Sequence, residues 1–203
     1  MDEIILIGVG GHAKSCIEVV ELNGSYKIAG LISQNKIKEN KLLGYPIIGT
    51  DEDLPDLRKK FKYALIAIGQ IKSPEVRIRL YEMLIDLEFT LPVIISPNSY
   101  VSSHSKIGFG TIIMNDVIIN ANSEIGNNCI VNNKVLIEHD TDIGDHCHIS
   151  TGAILNGNVF IGKESFIGSG VITKESIKIG NRCVIGAGSV IKTNIKSNQI
   201  IKT

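Results

Sequence analysis

From Ile95 to Lys196 an apolar residue returns at every sixth position but one. Written in hexads, the stretch runs ISPNSY VSSHSK IGFGTI IMNDVI INANSE IGNNCI VNNKVL IEHDTD IGDHCH ISTGAI LNGNVF IGKESF IGSGVI TKESIK IGNRCV IGAGSV IKTNIK. Every hexad except the one headed by Thr173 opens with Ile, Val or Leu, and from Ile107 onward the fifth residue is small or β-branched. A helix repeats near 3.6 residues and hairpin arrays need turns of changing length, so an unbroken period of six predicts a solenoid. Three such sides close one coil of a prism, and coils stack at about 4.8 Å. Side chains alternate along each extended side, which points positions five and one inward and position six outward. All five prolines lie at or before Pro97, as coil-to-coil pairing of backbone N–H groups requires.

Upstream the pattern changes to alternating strand and helix signals. Glu3 to Val9 is an apolar strand, Gly8-Val9-Gly10-Gly11 breaks it, and His12 to Leu22 carries apolar residues at helical spacing. Tyr26 to Ile32 reads as a second strand and Tyr63 to Ile68 as a third, ending at Gly69. Pro74 to Leu87 reads as a helix capped by Ser73 with proline at its first position. The expected organisation is an α/β domain over residues 1–92 with a small Rossmann-like parallel sheet, followed by the solenoid over 93–203. In such sheets ligands bind beyond the carboxyl ends of the strands, which makes the first half a candidate binding domain.

The outward sixth positions divide by side. One side presents Ile112, Ile130, His148, Phe166 and Val184; a second presents Ile118, Leu136, Ile154, Ile172 and Val190; the third presents Glu124, Asp142, Phe160, Lys178 and Lys196. Two sides are apolar where water is expected, and exposed patches of that extent mark interfaces. Two different apolar sides on a three-sided prism predict a heterologous contact that closes into a homotrimer. Inside the prism Cys129 and Cys147 are one coil apart, Cys183 lies two coils further and Ser165 comes between, so the thiols read as small core fillers.

Composition narrows the function classes. Lys plus Arg and Asp plus Glu number 21 each, so the charge balance points to neither nucleic acid nor an anionic membrane. No apolar run approaches the length of about 20 residues that a membrane helix needs, and the acidic N-terminus reads as a first strand, not a signal peptide. Four cysteines without CxxC spacing suggest a reducing, cytoplasmic compartment.

Two places carry chemistry. The turn Gly8-Val9-Gly10-Gly11-His12 lets a phosphate approach backbone N–H groups at a helix N-terminus, although Ala13 departs from the full dinucleotide spacing. It suits a nucleotide or nucleotide-sugar, and it is equally a tight turn with no ligand. Ile137-Glu138-His139-Asp140 puts a histidine and a carboxylate at hexad positions three and four, a corner of the coil. A histidine oriented by an adjacent acid suits general base work, against the alternative of a solvated turn histidine. One coil above and below, Ala121 and Gly157 leave room beside His139. His148 interrupts an apolar side and needs a partner. It lies half a coil from His139, so cooperation between the two predicts a subunit boundary. His104 and His146 read as solvated corner residues.

Unbroken hexads with IGxGTxIM, IEHDxxIGDxxHIxxGAxLxGxVxIG and IGAGSVI, after a GxGGHA turn and an AIG strand end, resemble the bacterial hexapeptide-repeat sugar acetyltransferases. That family contains nucleotide-sugar 4-amino N-acetyltransferases and sialic acid O-acetyltransferases. The resemblance implies a left-handed parallel β-helix with acetyl-CoA held between neighbouring subunits of a trimer and no metal. It implies His139 as general base, Asp140 as the acid that enhances it, and His148 near the thioester. It places Asn132, Gly157, Ser169 and Ala187 in the acetyl-CoA groove, and Gly10, Gly11, His12, Ser33 and Gly69 on the nucleotide-sugar side. The implied reaction is direct acetyl transfer to a sugar amine. Alternatives are O-acetylation of a sialic-acid-like sugar, a β-helix metal hydratase using His139, His146 and His148, and a non-catalytic sugar-binding module.

Overall fold

The computed structural model describes residues 1–34 and 40–202. The first half is an α/β unit of β1 (Asp2–Ile7), α1 (Gly11–Asn23), β2 (Tyr26–Ser33), β3 (Lys41–Leu42), β4 (Tyr45–Thr50), α2 (Leu54–Arg58), β5 (Tyr63–Ile66) and α3 (Glu75–Asp86). Its sheet has the order β3-β4-β2-β1-β5, parallel except for the β3–β4 pair. The apolar runs of β1 and β5 are buried on both faces, as central parallel strands are. β1 pairs with β2 on one side and β5 on the other, all parallel, and the strand order reverses there. The carboxyl ends of β1 and β5 are therefore the switch point at which such sheets open a crevice.

The expected α3 start shifts by one residue. Pro74 is the cap residue and Glu75 the first helical one, with the Ser73 hydroxyl accepting the Glu75 N–H at 3.3 Å. β3, β4 and α2 fill a stretch whose hydrophobic pattern is too short to announce them.

The second half is a left-handed parallel β-helix. Its two-residue strands, each made of hexad positions six and one, stack into sheets of seven, six and five strands. Positions five and one form one continuous buried column, in which Cys129, Cys147 and Cys183 stand beside Ile and Val. The fourth hexad residues turn the corners in the left-handed conformation, for example Asp140 at φ 60°, Asn122 at φ 60° and Gly152 at φ 67°. Asn, Asp and Gly tolerate that region best, which accounts for their frequency at this position.

The two apolar sides have different fates, and this corrects the expectation that both await neighbours. Ile94, Ile112, Met114 and Ile130 on the seven-stranded side form one cluster with Ala13, Cys16, Ile17 and Val20 of α1. The chain's own first half thus covers the upper part of that side. The six-stranded side stays bare: Tyr100, Ile118, Ile172 and Val190 are exposed, Val190 at 57%, with Leu136 and Ile154 half-buried between them.

Candidate active site

A cavity of about 580 Å³ opens where the carboxyl ends of β1 and β5 meet the seven-stranded side. Gly10, Gly11 and His12 enter from the start of α1, Gly69 and Gln70 from the loop after β5, and Asn132, His148, Ser150 and Ser169 from the β-helix. Most of the residues the sequence singled out therefore converge. A second, more apolar cavity of about 550 Å³ shares Ile71, Phe166 and Ser169 with the first and continues along Gly168, Gly186 and Ala187 to Ile200. Four expected residues lie elsewhere: Ser33, Gly157 and the His139–Asp140 pair. Ser33 is buried at the end of β2 in register with Thr50 and lines neither cavity, and Gly157 sits under the His139 ring.

His148 is buried and finds its partner within the same chain. Its Nδ1 donates to the Gln70 main-chain carbonyl at 2.5 Å, and its Nε2 faces the Asn132 side-chain nitrogen at 3.3 Å. The ring packs edge-on against Phe166 at 5.2 Å. Burial pushes its pKa down to about 4, the Gln70 hydrogen bond opposing and the Arg77 charge assisting. His12, whose ring centroid is 6.5 Å away, is pushed down to about 3 by burial and then by Arg77 and His148. Both imidazoles are neutral at pH 7, and His12 Nε2 is buried with no hydrogen-bond partner among the described residues.

The cation behind them is a feature the sequence reading missed. Arg77 of α3 is 1% exposed and forms no salt bridge among the described residues. It donates to the carbonyls of Ile66 at 3.2 Å, Ile68 at 2.7 Å and Asn128 at 2.8 Å, and to Asn128 Oδ1 at 2.7 Å. Burial lowers its pKa only to about 10, so the charge persists. Asn128 then donates toward His146 Nδ1 at 3.0 Å. The expectation of a solvated His146 is corrected: it packs edge-on against Tyr81 at 5.2 Å, and burial lowers its pKa. Helical spacing holds a trace of Arg77, since it stands three and seven residues before Leu80 and Leu84 on the buried face.

His139 and Asp140 line neither cavity; they stand at the corner after the Leu136–Ile137 strand, at the edge of the bare apolar side. His139 Nδ1 bonds Asp140 Oδ2 at 2.7 Å, and Asn122, one coil away, donates to Asp140 Oδ1 at 2.7 Å. The Asn122 bond, then that from His139, holds the Asp140 carboxyl below its usual range. With Nδ1 committed to the carboxylate, the neutral form of the ring has its lone pair on Nε2, and the exposed ring makes no other hydrogen bond among the described residues. The ring lies so close over Gly157 that a Cβ there would stand 2.8 Å from its Cε1 and 2.9 Å from its Nε2. His139, His146 and His148 do not converge: their Nδ1 atoms engage Asp140, Asn128 and Gln70 respectively. Among the described residues no three His, Cys, Asp or Glu side chains group as metal ligands.

Residues 3–84 match the family model of the PglD N-terminal domain, and residues 104–139 and 158–193 match that of the bacterial transferase hexapeptide (six repeats). No curated protein sequence matches the chain at a significant level. PerB from Caulobacter crescentus, solved in complex with CoA and GDP-perosamine, is 30% identical with a TM-score of 0.92, over 100% of this chain and 95% of its own. The acetyltransferase domain of PglB from Neisseria gonorrhoeae, in complex with acetyl coenzyme A, is 30% identical with a TM-score of 0.91, over 99% of this chain and 96% of its own. WeeI from Acinetobacter baumannii, 23% identical over 98% of this chain and 96% of its own, shares the fold at a TM-score of 0.87.

Proposed function

Because the chain belongs to the bacterial hexapeptide-repeat sugar acetyltransferases, we propose that it transfers the acetyl group of acetyl-CoA to the 4-amino group of a nucleotide-linked amino-deoxy sugar. The observation that carries the proposal is the His139–Asp140 pair, an imidazole with Nδ1 held by a carboxylate and Nε2 free at an exposed edge. In this reading residues 1–92 hold the nucleotide sugar and 93–203 the cofactor. The diphosphate meets backbone N–H groups at Gly10 and Gly11, where the α1 dipole and the buried Arg77 charge favour an anion. The pantetheine arm follows the apolar groove past Ser169 and Ala187 toward Ile200, and its thioester lies at His148 and Asn132.

His139 stands apart from this cavity, so the assembly supplies it. Pairing the bare six-stranded side with a second copy removes Ile118, Ile172 and Val190 from water and turns the corner that carries His139 toward the neighbour's cavity. A cyclic homotrimer satisfies every subunit in the same way. The sugar amine attacks the thioester carbonyl carbon as His139 Nε2 takes its proton. The C–S bond then breaks, and the thiolate leaves and is protonated by way of solvent. Four buried free cysteines fit a cytoplasmic home.

Thiol release from acetyl-CoA, measured over a panel of nucleotide-linked 4-amino sugars, tests the activity, and sedimentation tests the assembly. Release with at least one acceptor, by a protein that sediments as a trimer, is expected. No release with any of them, or activity from a monomer, refutes the reading.

A further inference from the structure

Gln70 ties the loop after β5 directly to the β-helix. Gln70 is 2% exposed and makes two contacts with the same hexad: its side-chain Nε2 donates to the His146 carbonyl at 3.0 Å, and its main-chain carbonyl accepts from His148 Nδ1 at 2.5 Å. A carbonyl can only accept, so the proton at that contact belongs to Nδ1. The other ring nitrogen is settled independently. Asn132 Oδ1 accepts the Asn133 N–H at 2.8 Å, which turns the Asn132 amino group toward His148 Nε2. An amino group donates, so Nε2 carries a lone pair. The two contacts specify a single tautomer, whereas an exposed neutral imidazole exchanges between two.

We infer that Gln70 is a positioning residue for acetyl transfer: its side chain pins the loop to the His146 carbonyl, which holds its own carbonyl where it fixes His148 as the Nδ1–H tautomer. The inference rests on the proposed function for the part His148 plays at the thioester, and on geometry alone for the tautomer. It also accounts for the burial of an amide in an otherwise exposed loop, since Ile71, Lys72 and Ser73 are all exposed. Gln70 borders the sugar cavity as well, so the wall of one substrate site sets the protonation pattern of the other.

The test uses the full chain labelled with ¹⁵N-histidine and long-range ¹H–¹⁵N spectra at pH 7, His148 being assigned by its loss in His148→Asn. The expected wild-type pattern is a pyrrole-type Nδ1 and a pyridine-type Nε2. Gln70→Met keeps the length and apolar bulk of the side chain but cannot donate to the His146 carbonyl, and Gln70→Ala removes the pin altogether. Either variant is expected to shift the tautomer ratio, and to lower kcat at saturating acetyl-CoA, by on the order of tenfold, as for one lost hydrogen bond. An Nε2–H pattern in the wild type overturns the inference, as does an unchanged tautomer with unchanged kcat in both variants. A wild-type protein with the Nδ1–H pattern that releases thiol with no acceptor supports the tautomer assignment and counts against the proposed function instead.

Discussion

Gly157→Ala separates the position of His139 from the stability of the fold. Gly157 lies outside the left-handed region, so alanine costs no backbone strain there. Its carbonyl still accepts the Ser176 N–H at 2.9 Å. Restriction of the unfolded chain contributes about 0.4–1 kcal/mol in favour of the variant. The new methyl would stand 2.8 Å from His139 Cε1 and 2.9 Å from Nε2, where non-bonded carbons settle at about 3.5–4.0 Å. The ring must retreat by roughly 1 Å to reach that separation. Its 2.7 Å bond to Asp140 leaves little play, so retreat means breaking the bond or tilting Nε2 away from the acceptor amine. A misplacement of about 1 Å costs about 10²-fold in rate. Thiol-release kinetics at saturating substrates should show that loss, while the unfolding temperature stays level or rises and sedimentation is unchanged. Near wild-type turnover in a folded Gly157→Ala protein would refute the role given to His139, because no general base tolerates such a neighbour unmoved.

His139→Ala should lose about 10²–10⁴ in kcat, the worth of a general base, and a wild-type rate in the thiol-release assay would contradict the assignment. Asp140→Asn, which removes the charge beside Nδ1, should lower kcat by roughly 10–100-fold, the range for a hydrogen bond to a charged group, and an unchanged kcat would show that the pair is incidental. Ile154→Asp on the bare six-stranded side should sediment as a monomer and lose transfer, because a trimer would bury the carboxylate unpaired; an intact active trimer would exclude that side as the interface. Acid should destabilise the fold through His12 and His148. Their folded pKa values, about 3 and about 4, lie below the unfolded value of 6.5, so the unfolded chain binds more protons between those limits. Stability from these groups is then present above pH 6.5 and lost as pH falls, by a few kcal/mol near pH 4. Chemical denaturation from pH 7 to 4 should show the slope, His148→Asn should reduce it, and a flat profile would mean that neither ring is buried neutral.

The hexads made the β-helix legible because its core is a one-dimensional column: each inward position depends only on its place in the repeat, and Cys129, Cys147 and Cys183 obey that rule. The His139–Asp140 corner was legible for the same reason, since hexad phase alone puts both residues outside the core. Periodicity cannot say which outward face the rest of the chain will cover. Ile112 and Ile130 have the same pattern as Leu136 and Ile154, yet only the first pair lies against α1. That docking also decides His148, whose partner is a main-chain carbonyl 78 residues away and so leaves no mark in side-chain identity. The contacts of Gln70 and Asn128 leave no such mark, because amides carry no charge signal, and their role appears only when the two halves are brought together.

Arg77 is the residue through which the halves act on each other. A cation this deep is costly to bury and gains no carboxylate in return among the described residues, so its place depends on the carbonyls that surround it. Two of those come from the end of β5 and its following loop, and two acceptors come from Asn128 on the β-helix. Neither half alone provides the full set, which makes the guanidinium a condition of their docking. The same charge opposes protonation of His12 and His148. Burial first, and this charge after it, keep two imidazoles neutral beside a cavity whose proposed occupants, a nucleotide diphosphate and a thioester, need a positive field without a proton donor acidic enough to quench an amine. An arginine, even lowered to about 10, supplies that field at neutral pH, and a lysine so buried would surrender its proton.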